Sequence, residues 1–301
     1  MTSRADSPTK RWTTRELLAW LSGAFTKAGL DSPRLLADML LTHTLGVSRL
    51  DLYTSPDRPA SEEERAALRG LVARALRHEP VQYLVGEAWF FGLPIATDPR
   101  ALIPRTSSET IVERVLQSLG KEGRSRPLRI ADICTGSGAI AIALLTNLPN
   151  ASADATDISP DALALAARNV DRHALAERLR LLEGDLTTPL RTGDCKPVLY
   201  DFIVSNPPYI PDQEWPAVPP NVKNHEPHLA LRGGPDGLDL VRRLLDEAPP
   251  LLSPDGQLLI EIAASSADGA ITLARALPML REPSIIPDCD GLPRVLHAYR
   301  A

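Results

Sequence analysis

Asn206-Pro207-Pro208-Tyr209 is the part of this 301-residue chain whose residue types come closest to specifying a reaction. A planar amide or aniline-like nitrogen has its lone pair delocalised into a π system. It attacks an electrophilic carbon poorly unless acceptors hold its N–H groups and aim the lone pair. The side-chain oxygen of Asn206 and the carbonyl of Pro207 are two such acceptors, and the paired prolines stiffen the turn and keep Asn206 out of the helical region. Tyr209 offers a flat face for the planar group. If the electrophile is a methyl sulfonium, its positive charge already activates the methyl carbon, so neither a metal nor a covalent nucleophile is needed. The bland alternative is a turn or a polyproline ligand segment. Such segments sit in polar, disordered flanks, whereas here the apolar run from Asp201 to Val204 leads straight into Asn206.

A second loop could hold the methyl donor. Asp132-Ile133-Cys134-Thr135-Gly136-Ser137-Gly138 leaves an apolar strand and enters the helix that begins at Ala139. Gly136 and Gly138 allow a ligand close to the backbone, and the first N–H groups of the helix are donors for an anionic group. The spacing is shorter than the GxGxxG dinucleotide pattern, and no Gly-Lys-Ser/Thr follows, so this is no phosphate loop of the Walker type. Read alone, it is a ligand loop or a tight strand-to-helix turn. Asp157, about 20 residues further on at the end of the next strand, is placed to accept from both ribose hydroxyls, or to cap the helix that starts at Pro160, or both. Asp185 and Leu186 follow the third strand, beside an adenine or simply in a turn.

The elements that must position these loops can be read from periodicity. Trp12 to about His78 is helical, with Leu17, Leu18, Leu21 and Phe25 at helix spacing. A second helix opens at Asp31-Ser32-Pro33 and ends near Gly46, and Ser61 to Glu64 is a capping box for a third. Glu62, Glu63 and Glu64 form a solvated first turn that suits the helix dipole. Ser55 to Ala60 is a loop, and Val81 to Ile103 reads as extended structure broken by Gly86, Gly92 and Pro94. Beyond a helix over 108–119 and a Gly/Arg/Pro-rich linker, strands alternate with helices, the α/β signature. Strands are expected at 128–133, 152–156, 179–183, 201–205 and 257–262, and helices at 139–147, 160–173 and 238–245. Two further extended segments, 284–287 and 295–299, are joined by Asp290-Gly291-Leu292-Pro293 as a closing hairpin. The expected organisation is a helical domain over 1–80, a linking β-hairpin over 81–104 and a catalytic α/β domain over 105–301.

Bulk properties narrow the field. An apolar fraction of 44% and a charged fraction of 24% are ordinary for a globular protein, and a formal net charge of -5 argues against a broad grip on nucleic acid. Cys134, Cys195 and Cys289 lie far apart with no zinc spacing, which fits a reducing compartment. Met1 to Lys10 lacks a signal-peptide core, and no stretch approaches the roughly 20 apolar residues of a membrane span. A cytoplasmic protein without stable nucleic-acid or membrane partners is expected, with no metal site.

With those residues in view, the chain resembles the protein-(glutamine-N5) methyltransferases, and among them those that modify peptide chain release factors. The resemblance rests on Pro80 to Gly86, Trp89 to Gly92, Leu102-Ile103-Pro104-Arg105 with Glu109, the loop from Cys134 to Gly138, Asn206 to Tyr209, His225-Glu226-Pro227 to Leu231, and Gly233 to Gly237. It implies a helical N-terminal domain that helps hold the protein substrate, then a Rossmann-like class I methyltransferase domain with a mostly parallel seven-stranded sheet and a C-terminal antiparallel hairpin. The implied cofactor is S-adenosyl-L-methionine. It would be bound by Asp132, Cys134, Thr135, Gly136, Ser137, Gly138, Asp157, Asp185, Leu186 and Asn206. Asn206, Pro207, Pro208 and Tyr209 would hold the substrate amide, with Asn206, Pro207 and Tyr209 as its catalytic residues. The implied acceptor is the glutamine of the Gly-Gly-Gln loop of class I release factors; a monomer is expected.

The departures are Cys134, where the family more often has glycine, and Thr106-Ser107-Ser108, where Pro-x-Thr is usual. Asn-Pro-Pro-Tyr is also shared with DNA amino-methyltransferases. The segments around Cys134 and Asp157 resemble the sister enzyme that methylates a ribosomal-protein glutamine. A module that kept the fold and lost turnover is a third reading, against which the intact Asn206 loop speaks. Among other residues, Arg105 and Glu109 read equally as an ion pair or a substrate contact, His225 and His228 as loop residues, and Trp89, Phe90 and Phe91 as interdomain core.

Overall fold

The computed structural model describes residues 12–191 and 198–301; Cys195 and the first eleven residues lie outside them. The chain divides into two compact units, Met1–Gly86 and Glu87–Ala301.

The first unit contains α1 (Thr14–Lys27), α2 (Pro33–Leu45), α3 (Arg49–Thr54), α4 (Glu62–Ala75) and α5 (Val81–Val85). Three of these helices start on a capping box: Thr13 with Glu16, Ser48 with Asp51, and Ser61 with Glu64. Each box meets N–H groups that a helix leaves unpaired at its first turn. Leu21, Phe25, Leu40 and Leu41 are fully buried at its centre. One detail refines the sequence reading and one differs from it. Arg49–Thr54 is helical, because Ser48 caps it and the buried Asp38 accepts from Arg49 Nε (2.8 Å) and Tyr53 Oη (3.0 Å). Val81–Val85, expected to be extended, is a single helical turn entered from Pro80 and closed by Gly86 at φ 74°.

The second unit opens with a hairpin, β1 (Glu87–Phe90) and β2 (Leu93–Ala96), followed by α6 (Glu109–Gly123). It continues with β3 (Arg129–Ile133), α7 (Ala139–Asn147), β4 (Ser152–Asp157), α8 (Pro160–Arg172), β5 (Leu179–Glu183), β6 (Tyr200–Ser205) and α9 (Pro220–Lys223). It ends with α10 (Asp239–Glu247), β7 (Leu252–Glu261), α11 (Ala267–Arg275), β8 (Leu280–Pro287) and β9 (Pro293–Arg300). The sheet order is β5-β4-β3-β6-β7-β9-β8, parallel from β5 to β7, with β9 antiparallel to both its neighbours. This is the mostly parallel seven-stranded α/β fold with a closing hairpin that the sequence leads one to expect. α7 is apolar all round and buried from Ala139 to Leu145, as a helix packed on every side must be.

The order reverses between β3 and β6. From β3 the chain moves outward through β4 to β5, then returns to place β6 on the other side of β3, with Ile133 opposite Ser205. The loops leaving β3 and β6 therefore diverge at the carboxyl edge of the sheet, where an open α/β fold forms its crevice. Ser205 Oγ donates to Ile133 O (2.7 Å) and fastens the two strand ends together.

His297 on β9 is fully buried; one ring nitrogen, Nε2, meets Gln257 Oε1 at 2.9 Å, and Nδ1 has no partner. Burial, with a smaller contribution from Arg114, lowers its pKa to about 4. The unfolded chain takes up that proton near pH 6.5, so this residue's stabilisation is complete above pH 6.5 and is lost as pH falls toward 4, by about 3 kcal/mol in total. Buried carboxyls titrate with the opposite sign, so the informative quantity is a difference. The stability of the native chain minus that of His297→Gln, from urea melts between pH 7 and pH 4, is expected to fall by that amount; a flat difference contradicts it.

Candidate active site

A cleft of about 290 Å³ opens at the switch point. Cys134, Thr135, Gly136 and Ser137 line it from the loop after β3, Asp157 and Ile158 from the end of β4, and Gly184, Asp185 and Leu186 from the end of β5. Asn206 and Pro208 line it from the loop after β6. Four loops that the sequence reading singled out thus meet around one space. Asp132 and Gly138 stand behind it. Asp132 is completely buried and accepts from Thr135 Oγ1 (2.6 Å) and Ala141 N (3.2 Å), while its second oxygen has no partner. Burial pushes its pKa up to about 7, against the pull of those two hydrogen bonds. Gly138, at φ 82°, is the residue that caps α7.

Asp157 is tied into the backbone. Its Oδ2 accepts from Gly136 N (2.8 Å) and its Oδ1 from Ser159 N (2.9 Å), so the carboxylate braces the loop opposite, while Ser159 caps α8. The expected capping role thus belongs to Ser159. Each carboxylate oxygen keeps a further lone pair for a ligand hydroxyl. Asp185 lines the cleft, and its carboxylate is ion-paired to Arg243 at 2.8 Å, a cation the sequence reading did not single out. Cys134 sits at φ 61°, in the left-handed region that glycine occupies without cost.

The loop after β6 is held from two sides. Asn206 Nδ2 donates to Ser108 Oγ (3.0 Å), and Tyr209 Oη donates to Glu261 Oε1 (3.1 Å). Beyond Tyr209 the chain pairs with residues 231–234, through Ile210 N to Leu231 O and Gly233 N to Ile210 O, both 2.9 Å. Gly233 lies against this loop so closely that a Cβ there would stand 2.7 Å from Tyr209 Cα. Backbone cannot yield as a flexible side chain can. Gly233→Ala is therefore expected to cost about 2 kcal/mol or more and to displace Tyr209. Calorimetric melting and turnover are both expected to drop; an unchanged pair of values contradicts the packing.

A second cleft, of about 370 Å³, adjoins the first, with Leu102 and Ala230 lining both. It is lined by Tyr209, Ile210, Val218, Val222 and Leu231, with Arg105 at its edge. Tyr209 lines this cleft, and Asn206 and Pro208 line the adjoining first one. Pro207 is buried and lines neither. Arg105 bonds Glu226 at 2.5 Å, and Glu226, buried, also accepts from Ile103 N (3.2 Å). Glu109 instead accepts from Phe91 N at 2.6 Å, so the Arg105–Glu109 pair weighed from sequence is replaced by Arg105–Glu226. Phe90 is core within the second unit, whereas Trp89 is 63% exposed and corrects the core reading for that residue. His228 packs edge-on against Trp215, a loop role.

Residues 16–86 match the PrmC N-terminal domain, and residues 111–218 match the methyltransferase small domain. The release factor glutamine methyltransferase of Geobacter sulfurreducens is 42% identical over 85% of this chain and 86% of its own length. The enzyme of that name from Rhodopirellula baltica is 39% identical over 96% of this chain and 97% of its own. The chain belongs to the release factor glutamine methyltransferase family. It shares its fold more distantly with the hMettl16 catalytic domain, at 18% identity and a TM-score of 0.53, over 81% of this chain and 84% of that one. Among the described residues, no helix is long and apolar enough to cross a membrane.

For a methyltransferase of this family, sequence reading had missed Glu261, Ser107 and Ser108. Glu261 is completely buried, and it accepts from Ser108 Oγ (2.5 Å), Ser107 Oγ (3.1 Å) and Tyr209. Its signal was present as a charge inside the apolar run Leu258 to Ile262, since an unpaired carboxylate is rarely buried. Asn169 was also missed. From within α8 its side chain accepts from Ala96 N (2.8 Å) and donates to Ser137 O (2.9 Å), joining the hairpin to the glycine loop.

Proposed function

We propose that this chain transfers a methyl group from S-adenosylmethionine to the side-chain amide nitrogen of the glutamine in the Gly-Gly-Gln loop of class I peptide chain release factors. The observation that carries the reading is the placement of Asn206 at the rim of the glycine-loop cleft, with its NH2 engaged by Ser108 and its oxygen left to accept. The cleft suits the cofactor. Asp157 offers acceptors at the β4 edge, and Asp132 beneath the loop carries a buried oxygen without a partner, which a cationic ligand above it would complement.

The cofactor supplies an electrophilic methyl carbon beside a positively charged sulfur. The chain's own part is positional. Asn206 Oδ1 and Pro207 O accept the two N–H groups of the glutamine amide, which turns the nitrogen lone pair toward the cleft. Tyr209, its hydroxyl fixed to Glu261, packs against the planar amide. Pro208 helps wall off water on the cleft side. Burial first, and then the Glu261 carboxylate, push the Tyr209 pKa well above that of a free phenol, so Tyr209 stays neutral and acts by shape and hydrogen bonding.

The reading is tested by intact-mass analysis. A release factor incubated with the protein and S-adenosylmethionine is expected to gain one methyl group, and one whose loop glutamine is replaced by alanine to gain none. Transfer to a ribosomal protein or to duplex DNA instead would reassign the acceptor.

A further inference from the structure

We propose that Glu261, acting through Ser108, is the positioning residue that decides which end of the Asn206 side-chain amide faces the acceptor nitrogen. The inference deepens the proposed function and rests on it for the identity of the acceptor. It follows from counting protons. Ser108 Oγ lies 2.5 Å from Glu261 Oε2 and 3.0 Å from Asn206 Nδ2. Burial raises the Glu261 pKa, against the pull of the Ser108 and Ser107 hydroxyls, Arg294 and the Tyr209 hydroxyl. A serine hydroxyl has one proton, and the ionised carboxylate can only accept, so with Glu261 ionised that proton goes to Glu261 and only lone pairs face Asn206. Asn206 must then present its NH2 to Ser108. Turned over, it would set Oδ1 against those lone pairs with no proton between them. The oxygen is thereby directed away from Ser108, free for the acceptor amide.

The other oxygen of Glu261 takes the hydroxyls of Ser107 and Tyr209, both at 3.1 Å, so one carboxylate anchors the first and last residues of the Asn206–Tyr209 loop. Its location follows from the sheet: β6 pairs with β7 with Ser205, the last residue of β6, opposite Ile260, so the loop residue Asn206 leaves β6 where β7 ends at Glu261. The flanking Ile260 and Ile262 are completely buried, and strand packing alone gives no reason for a carboxylate between them. Burying one is costly unless its lone pairs are met, and here three hydroxyls meet them.

The test compares Ser108→Ala, Ser108→Thr and Glu261→Gln with the native chain. Glutamine can donate to Ser108, which frees the serine proton to point at Asn206 and removes the preference between the two orientations. In Ser108→Ala and Glu261→Gln, kcat is expected to fall about 10- to 100-fold, with the cofactor Kd changed less than about threefold. Ser108→Thr, which keeps the hydroxyl, is expected to recover most of the loss. Independently of turnover, the Asn206 side-chain NH2 signal in 1H–15N spectra, assigned by its loss in Asn206→Ala, should exchange slowly in the native chain and rapidly in Ser108→Ala. Equal exchange in the two, a kcat for Ser108→Ala within about twofold of native, or equal losses in Ser108→Ala and Ser108→Thr would overturn the proposal. Protected NH2 groups in a native chain that methylates no release factor would instead retain this role for Glu261 and dismiss the acceptor.

Discussion

Asn206→Ala is expected to lower kcat by about 10²- to 10³-fold, equivalent to about 3 to 4 kcal/mol of lost transition-state stabilisation, while the cofactor Kd changes less than about threefold. The asymmetry follows from geometry. Asn206 sits at the rim of the cleft rather than beneath the glycine loop, and its NH2 bonds to Ser108, so what the substitution removes is one acceptor for the amide N–H. An amide nitrogen gains most from that acceptor as its lone pair localises, which happens on the way to the transition state and not in the ground state. Single-turnover rates and calorimetric cofactor binding on the same sample separate the two quantities. A full rate, or a cofactor Kd weakened as much as the rate, contradicts the role given to Asn206.

Asp157→Ala is expected to show the reverse pattern, a cofactor Kd weakened about 100-fold or more. Two effects add. The carboxylate holds Gly136 N and Ser159 N, and removing it leaves two backbone donors to find new partners, at about 1 to 3 kcal/mol for each that stays buried. It also removes the acceptors assigned to the ribose hydroxyls. Asp157→Asn, with one carbonyl oxygen in place of two, is expected to fall between the alanine variant and the native chain. Isothermal titration with S-adenosylmethionine measures both, and a Kd for Asp157→Ala within about threefold of native contradicts the assignment.

The sheet was legible because its strands are short apolar runs punctuated by helices, and the limits expected for β5 and α7 coincide with those observed. The loops carrying the site were legible for a different reason. Asn206, the Gly136 turn and Asp157 are residue types that strand ends seldom need for folding alone, and each follows a strand directly. Legibility ended where a contact spans a long stretch of sequence. Glu261 and Ser108 are 153 residues apart, and Arg105 and Glu226 are 121 apart. No local period links such pairs, and only the strand order brings them together. The five-residue turn Val81–Val85 escaped for lack of length, and Arg49–Thr54, inside the stretch read as helical, was not separated as an element, since a period of 3.6 residues needs two or three turns to be seen. Trp89 escaped because an aromatic run suggests core, whereas successive residues of a strand point to opposite faces, leaving Phe90 inside and Trp89 out.

On the proposed mechanism the Asn206–Tyr209 turn presents two oxygen acceptors to an otherwise unreactive amide. A crystal structure of the protein with S-adenosylhomocysteine and a peptide bearing the Gly-Gly-Gln sequence tests it most directly. The glutamine nitrogen is expected within hydrogen-bond reach, about 2.7 to 3.2 Å, of both Asn206 Oδ1 and Pro207 O, and facing the cofactor sulfur. A glutamine side chain bound elsewhere, or one whose nitrogen meets neither oxygen, would contradict it.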